Sequence, residues 1–424
     1  SCSDGHTTMY NGYVMSSHYG QQRSEFVCVD KAREYHQRQS NGDSNGQLWY
    51  TVETEGGSMD EYLYPQDKEV GCSVCHAPRT VYTRWGSKSC AKGSTLLYEG
   101  IAAGSMYYHS GGGHNNVCLH NIPQTPLGWG GNNNGGLLYG VEYQDTGIID
   151  KNHDKDASCS VCMADVEGHA YVQWGRSKSC SNNHVKLYSG YVMSERYSHF
   201  KGEFQCVDEE RAFHARSSNA DSNGALWYTV EVESGAMDES KYAPNIEIGC
   251  SMCLAPKATY VAWGATACKK GSGTTLYTGY ASGSYYNDRG GGANALCLHS
   301  APEVPAGAKN TNQNGGRLFG TEYENTGQVD KNHNKDAACA VCELETAGSV
   351  YTQWGRSKTC SNEHYTLYQG IVMSNRYTQN KNEFVCVDTD RAFHAKSSNS
   401  DSNGNLWYTV EVEGGSMDED IYQH

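Results

Sequence analysis

The chain contains no apolar run approaching the roughly 18 residues that a membrane-spanning helix needs. It has no leader-like opening either, since it begins Ser1-Cys2-Ser3-Asp4-Gly5. If the protein is secreted, these are residues of a mature or trimmed chain. Basic residues are in deficit, with 33 Lys and Arg against 48 Asp and Glu and a net charge of −15. Nucleic acid and anionic membrane are therefore excluded as partners, because both require basic patches. Proline is scarce at 8, and the 48 glycines do not recur at every third residue, so no part of the chain is a collagen triple helix. Phenylalanine is scarce too, at 7 against 31 tyrosines. That ratio suits wet, hydrogen-bonding β surfaces and inter-chain contacts better than a deep oily core. No G-x-S-x-G, H-E-x-x-H or P-loop pattern is present, and no pair of carboxylates is marked out as catalytic, so an enzyme is not expected. N-x-S/T sequons are also lacking, which removes ordinary N-linked glycans.

What the chain does contain is repetition. Cys90, Cys118, Cys159, Cys162, Cys180 and Cys206 return as Cys268, Cys297, Cys339, Cys342, Cys360 and Cys386, a shift of 178 to 180 residues. Cys180, Cys206, Cys250 and Cys253 likewise have counterparts 178 residues earlier at Cys2, Cys28, Cys72 and Cys75. Each long period divides again into two related halves. Both carry a Trp-Gly strand, a first Cys, a Leu-Tyr-x-Gly strand, a second Cys and a closing C-x-x-C. One type has Gly111-Gly112-Gly113 or Gly290-Gly291-Gly292 ahead of its second Cys; the other has an Asp-Ser-Asn-Gly element at Asp43, Asp221 and Asp401. The expected organisation is aspartate type 1–75, glycine type 76–163, aspartate type 164–253, glycine type 254–342 and aspartate type 343–424.

Within a module the pattern is all-β. Leu226, Tyr228, Val230 and Val232 alternate with Trp227, Thr229, Glu231 and Glu233, as in a half-buried strand. Leu137, Tyr139, Val141 and Tyr143 do the same in the glycine type. Asn223-Gly224 and its copies are the residues favoured at positive φ in a two-residue hairpin turn. The Gly triplets precede no helix start, so they read as permitting tight β corners rather than as phosphate cradles. Only residues 208–215 show a pattern that allows a short helix. The fold class expected is a tandem array of small, disulfide-stapled β modules.

Four cysteines per complete module, at fixed spacing in a unit of about ninety residues, point to disulfides in an oxidising compartment. Joining Cys180 to Cys253 would close a 73-residue loop, worth about 4 kcal/mol by chain entropy. A zinc site is the rival, but its ligands usually form two close pairs, and here the first two cysteines of a module lie 26 to 29 residues apart. A thioredoxin-like C-x-x-C would need a βαβ setting, whereas Cys162 leads into Met163-Ala164-Asp165 and another strand.

Two oxygen clusters are candidates for calcium, the one cofactor suggested. Asn219, Asp221 and Asn223, with copies from Asn41 and Asn399, place oxygen-bearing side chains at alternate positions before a glycine. The twelfth position is Val230 rather than Glu, so this is no EF-hand, and a plain turn is the competing reading. Asp150, Asn152, Asp154 and Asp156 form the second cluster, repeated from Asp330 with Asn334 replacing one Asp; a solvated loop is its competing reading. His153 and His333 lie inside it, a weak ligand signal.

The ordered motifs resemble the C-terminal non-collagenous domain of sponge short-chain (spongin-type) collagens. The residues that carry this are Tyr171-Val172-Gln173-Trp174-Gly175-Arg176, Cys180, Leu187-Tyr188-Ser189-Gly190-Tyr191, Met193-Ser194 and Phe204-Gln205-Cys206-Val207-Asp208. Asp221 to Tyr228, Gly111-Gly112-Gly113, Cys118-Leu119, Tyr139 to Tyr143 and Cys159-Ser160-Val161-Cys162 extend it over essentially the whole chain. The type IV collagen C-terminal domain is similar at a greater distance. The resemblance implies an extracellular matrix protein whose globular domains associate. It also implies the pairs Cys2–Cys75, Cys28–Cys72, Cys90–Cys162, Cys118–Cys159, Cys180–Cys253, Cys206–Cys250, Cys268–Cys342 and Cys297–Cys339. The collagenous stretch itself is absent.

The repeat places one further C-x-x-C six residues beyond His424, and a first Trp-Gly strand about four residues before Ser1. Cys360 and Cys386 are thus left unpaired or inter-chain. Trimming is one explanation; strands supplied by neighbouring chains, giving a head-to-tail polymer of copies of this protein, is the other. The function expected is a secreted, extracellular structural protein that self-associates into a fibre or network and contacts matrix glycans. A soluble, multivalent, lectin-like defence protein is the alternative, drawing on avidity.

Overall fold

The computed structural model describes residues 2, 6–34, 46–124, 132–144, 152–217, 220–308, 311–313, 315–324, 332–397 and 400–413. These form an all-β protein of 24 strands, with isolated three-residue 3₁₀ turns at Ser181–Asn183 and Ser361–Glu363. Residues 208–215, where a short helix was allowed, instead leave the strand Gln205–Asp208 in turns. Asp208 accepts the Glu210 N–H and the Arg211 N–H donates to the Asp208 carbonyl, and this local bonding competes with a helical start.

The third module shows the complete plan. Its strands are β11 (His169–Trp174), β12 (Val185–Ser194), β13 (Gln205–Asp208), β14 (Ala225–Val232) and β15 (Gly249–Ala255). β15, which carries the C-x-x-C, lies between β11 and β12 and is antiparallel to both. β12 goes on to pair with β13 and with β14. The second module repeats this with β6 (Val81–Trp85), β7 (Ser94–Gly104), β8 (Val117–His120), β9 (Gly136–Tyr143) and β10 (Ser158–Ala164). The fourth uses β16 (Thr259–Trp263), β17 (Thr274–Gly283), β18 (Leu296–His299), β19 (Gly316–Tyr323), β20 (Lys335–Asp336) and β21 (Ala338–Glu343). The first has β1 (Thr7–Ser16), β2 (Val27–Asp30), β3 (Tyr50–Thr54), β4 (Lys68–Glu69) and β5 (Gly71–His76). The fifth has β22 (Gly370–Ser374), β23 (Val385–Asp388) and β24 (Asn405–Thr409).

Eight disulfides fasten the C-x-x-C strands. Cys2–Cys75, Cys90–Cys162, Cys180–Cys253 and Cys268–Cys342 span 72 to 74 residues. Cys28–Cys72, Cys118–Cys159, Cys206–Cys250 and Cys297–Cys339 span 41 to 44. Cys360 and Cys386 are free and half-buried. A cleft of about 1070 Å³ opens beside them, lined by residues 344–357 and 364–370, by Tyr260 and Trp263, and by Glu383 to Cys386.

Alternation was expected to leave one face of β14 in solvent. Instead Ala225–Val232 is buried on both faces, with Trp227 and Glu231 each only 1% exposed. The neighbouring modules supply the second cover. β3, β9, β14, β19 and β24 form a staircase of parallel half-strand pairs. Val52–Thr54 pairs with Gly136–Leu138, Val141–Tyr143 with Ala225–Trp227, Val230–Val232 with Gly316–Leu318, and Thr321–Tyr323 with Asn405–Trp407. Each middle strand gives its first half to the preceding module and its second half to the next. A second set of links joins the Trp end of β6, β11 and β16 to β13, β18 and β23 of the following module.

The tyrosines also depart from the wet-surface expectation. Tyr143, Tyr188, Tyr242, Tyr277 and Tyr323 are buried, and their hydroxyls donate to the carbonyls of Ala212, Cys206, His299, Cys297 and Ala392. Tyrosine thus fills these cores as phenylalanine would, while its hydroxyl finds a backbone acceptor.

Candidate functional site at the module junctions

Every step of the staircase carries a buried glutamate. Glu53, Glu142, Glu231 and Glu322 are each at most 1% exposed. Each carboxylate accepts backbone N–H groups from the loop that leads into the next module's middle strand. Glu53 takes Asn133 and Asn134 at 3.1 and 2.6 Å, and Glu142 takes Ser222 at 3.1 Å. Glu231 takes Gln313 at 3.0 Å, and Glu322 takes Ser402 and Asn403 at 3.1 and 3.0 Å. A backbone N–H bonded to a carboxylate is among the stronger hydrogen bonds available to a protein. Here it ties one module to the next.

A second acid faces each of these glutamates across an antiparallel pair. The partners are Glu69, Asp156, Glu247 and Asp336. Directly opposed like charges on a sheet are unfavourable, and burial raises the cost of ionising either one. Burial is the main reason the Glu142 carboxyl is held above its ordinary range, with Asp154 and Asp221 adding to the effect. At Glu322 burial, reinforced by Glu324 and Asp336, pushes the carboxyl up to about 7 against the pull of the Ser402 and Asn403 N–H groups.

The junction between the second and third modules brings three acids within reach of one another. Carboxylate oxygens of Glu142, Asp154 and Asp221 lie within 4.8 Å of one another. Ser58 Oγ from the first module donates to Glu142 Oε2 at 2.9 Å, and Gln144 Nε2 donates to Oε1 at 2.8 Å. Three hard oxygen donors at this separation suit Ca²⁺ better than a thiolate- or imidazole-seeking metal. At the fourth junction Gln144 is replaced by Glu324, Asp154 by Asn334 and Asp221 by Asp401. With Glu324 in place of the amide, Glu322 Oε1 has no hydrogen-bond partner among the described residues.

The two oxygen clusters seen in the sequence therefore contribute one aspartate each to a single cluster. Asp154 comes from a turn with φ of 59°, and Asp221 lies exposed ahead of β14. Asn152 is buried, and its Nδ2 donates to the Arg211 carbonyl and so fixes the loop. Asn223 takes φ of 47°, as a turn residue should, but the turn leads into β14 without joining two paired strands. Asn219 and Asp150, and the copies at Asn41, Asn399 and Asp330, lie outside the described residues.

The glycine triplets also belong to the junctions. A Cβ on Gly111 would lie 1.8 Å from the His18 carbonyl, and one on Gly113 would lie 2.3 Å from the Phe26 ring. Gly290 and Gly292 meet Arg196 and Phe204 in the same way. Glycine is needed because the backbone of one module rests directly on its predecessor. Arg23 ties three modules at once. It is buried, and its guanidinium donates to the carbonyls of His109 and Met106 in the second module and of Phe200 and Lys201 in the third.

Comparison with protein-family models and with curated proteins finds no match. The junction glutamates were not singled out from the sequence. Their signal was nonetheless present: an acid recurring at the same step of an otherwise apolar strand, in Val52-Glu53-Thr54, Val141-Glu142-Tyr143, Val230-Glu231-Val232 and Thr321-Glu322-Tyr323.

Proposed function

We propose that this chain is an extracellular structural protein that self-associates into a fibre or matrix network. The observation that carries the reading is the junction. Each module contacts the next through two different surfaces, a heterologous contact that need not close on itself, and such contacts generate open, extendable assemblies.

Eight disulfides in 424 residues support an oxidising, extracellular setting. No helix among the described residues is long and apolar enough to cross a membrane. The resemblance to the non-collagenous domain of spongin-type collagens points the same way. Calcium at Glu142, Asp154 and Asp221 would relieve the repulsion in a junction. A lectin-like role would call for exposed rings beside the oxygen cluster of each module; the rings beside Glu142, Tyr143 and Trp227, are buried. Electron microscopy of native material tests the proposal. Filaments with a repeat near the module spacing are expected, and dispersed monomers retained on a glycan column in calcium would overturn it.

A further inference from the structure

The hairpin of β3 and β4 carries a charge arrangement that its packing does not account for. Glu53 lies opposite Glu69, and Thr54 lies opposite Lys68. One step past the strand ends, the same register sets Glu55 opposite Asp67, whose N–H donates to the Thr54 carbonyl at 2.9 Å. Two directly opposed acid pairs thus share one face of the hairpin, and Lys68 belongs to the other. The matching turns of the next three modules close in the same way, through the N–H groups of Asp154, Asn245 and Asn334. Those hairpins are less acidic: Gln144 stands where the first has Glu55, and Asn245 and Asn334 stand where it has Asp67. Of the four, only the first keeps all four acids.

The hydrogen bonds of this face are also incomplete. Glu69 is only 4% exposed, and its Oε2 has no hydrogen-bond partner among the described residues. Asp67 Oδ1 is buried and without a partner in the same way. Glu69 Oε1 accepts Asn133 Nδ2 at 2.8 Å, while the Asn133 N–H donates to Glu53 Oε2 at 3.1 Å. Both carboxylates therefore converge on one residue of the second module. Glu55 is close to them, since burial first, then Asp67 and then Glu53 hold its carboxyl above the ordinary range. A buried carboxylate oxygen with no donor bears its full desolvation cost, and four acids on one face repel one another. A positive partner answers both.

We propose that the junction of the first and second modules binds a divalent cation of the calcium class through Glu53, Glu55, Asp67 and Glu69. The site is separate from the cluster of Glu142, Asp154 and Asp221, and it does not depend on self-association. Its donors are all hard oxygens. Ca²⁺ takes roughly six to eight of these in a flexible geometry, whereas Mg²⁺ demands a compact octahedron and Zn²⁺ favours imidazole and thiolate. The four carboxylates stand wider apart than the Glu142 cluster, where three oxygens lie within 4.8 Å. Binding therefore includes an inward swing of the flexible glutamate side chains. Asn133 and Asn134 already tie the second module to Glu53, so the ion would stiffen this junction and make it a calcium-dependent joint in the array.

The test uses the full chain with Asp221→Asn, which takes one carboxylate from the other cluster, and calcium chloride as the probe against EDTA. Calorimetric titration should show one calcium per chain, with a dissociation constant on the order of 10⁻⁴ to 10⁻³ M, as in extracellular modules. Calcium should also raise the urea midpoint and slow hydrogen exchange in β3 and β9. Adding Glu69→Gln or Asp67→Asn should weaken binding at least about tenfold, because ligand charge sets affinity. Lys68→Gln, on the opposite face, should leave binding unchanged. In EDTA the two acid variants should match or exceed the parent in urea midpoint, since each relieves an opposed carboxylate pair. Intact mass confirms that every disulfide has formed. A parent that binds no calcium, or binding that survives both acid substitutions at full strength, would overturn the site. Midpoints that fall in EDTA for both variants would show that the acids hold the junction unaided, and would overturn it as well.

Discussion

The junction glutamates set most of what single side chains contribute here. Glu142 accepts from Ser58, Ser222 and Gln144, which belong to three successive modules. Glu142→Ala strands those donors in a dry junction and should cost about 2 kcal/mol, since buried groups that lose their partner pay their own desolvation. Urea midpoints measure this, and an unchanged midpoint would show that the bonds add nothing. At Glu322 the consequence is a pH dependence. Its carboxyl sits near 7 in the folded protein against about 4.3 when unfolded. The folded state holds that proton more tightly, so the contribution is complete below about 4.3 and is lost as pH rises through about 7. His109 and His114, pushed down to about 4 mainly by burial, work in the opposite sense. The informative quantity is therefore the difference between Glu322→Gln and the unaltered chain. The variant mimics the protonated carboxyl, so it should match the unaltered protein at pH 5 and exceed it in urea midpoint at pH 8. Equal midpoints at both values would rule out a proton at this junction.

Among the elements, the strands themselves were legible in the sequence, and their surroundings were not. Period-two alternation located β9 and β14 correctly, because each still turns successive residues to opposite faces. It misread Glu231 and Trp227 as solvent-facing because alternation reports only a difference between faces, and the second cover comes from neighbouring modules whose paired residues lie 84 and 86 positions away in sequence. The calcium-like spacing shows only part of its grouping in the sequence. Asp154 and Asp221 meet through the folding of two modules, while Asn152 bonds to the Arg211 carbonyl and Asn223 takes the positive φ of the turn. Cysteine spacing located the staples without fixing partners, and the pairing came with the resemblance. The glycine triplets gain their meaning only in the assembled array. Gly290→Ala would place a methyl group 1.8 Å from the Arg196 carbonyl, a backbone atom that cannot turn aside. A cost on the order of 2 kcal/mol is expected from overpacking of this kind. Hydrogen exchange should accelerate at the junction of the third and fourth modules while β11 and β15 keep their protection; uniform acceleration would mean that the whole chain had loosened.

At the scale of the molecule, the question is whether five modules unfold as five. Disulfide-rich domains joined like beads would each melt separately, but the cores here are shared. One apolar cluster runs from Tyr82 in the second module through Val192, Phe204 and Val230 in the third to Leu296 and Leu318 in the fourth. Another joins Tyr143 and Ala157 to Met193 and Trp227, and Trp227 packs edge-on against Trp85 of the second module at 5.8 Å. In a linear array, stability is a sum of intrinsic and neighbour terms, and strong neighbour terms make several repeats melt together. Trp227→Ala removes a large, 1% exposed side chain, a change worth about 3 to 5 kcal/mol in a packed core. The loss should spread. Protection should fall in β6 and β9 of the second module as well as in β14, and the calorimetric transition should shift as a whole. Exchange confined to the third module would instead show that the junctions hold modules in register without coupling their stability.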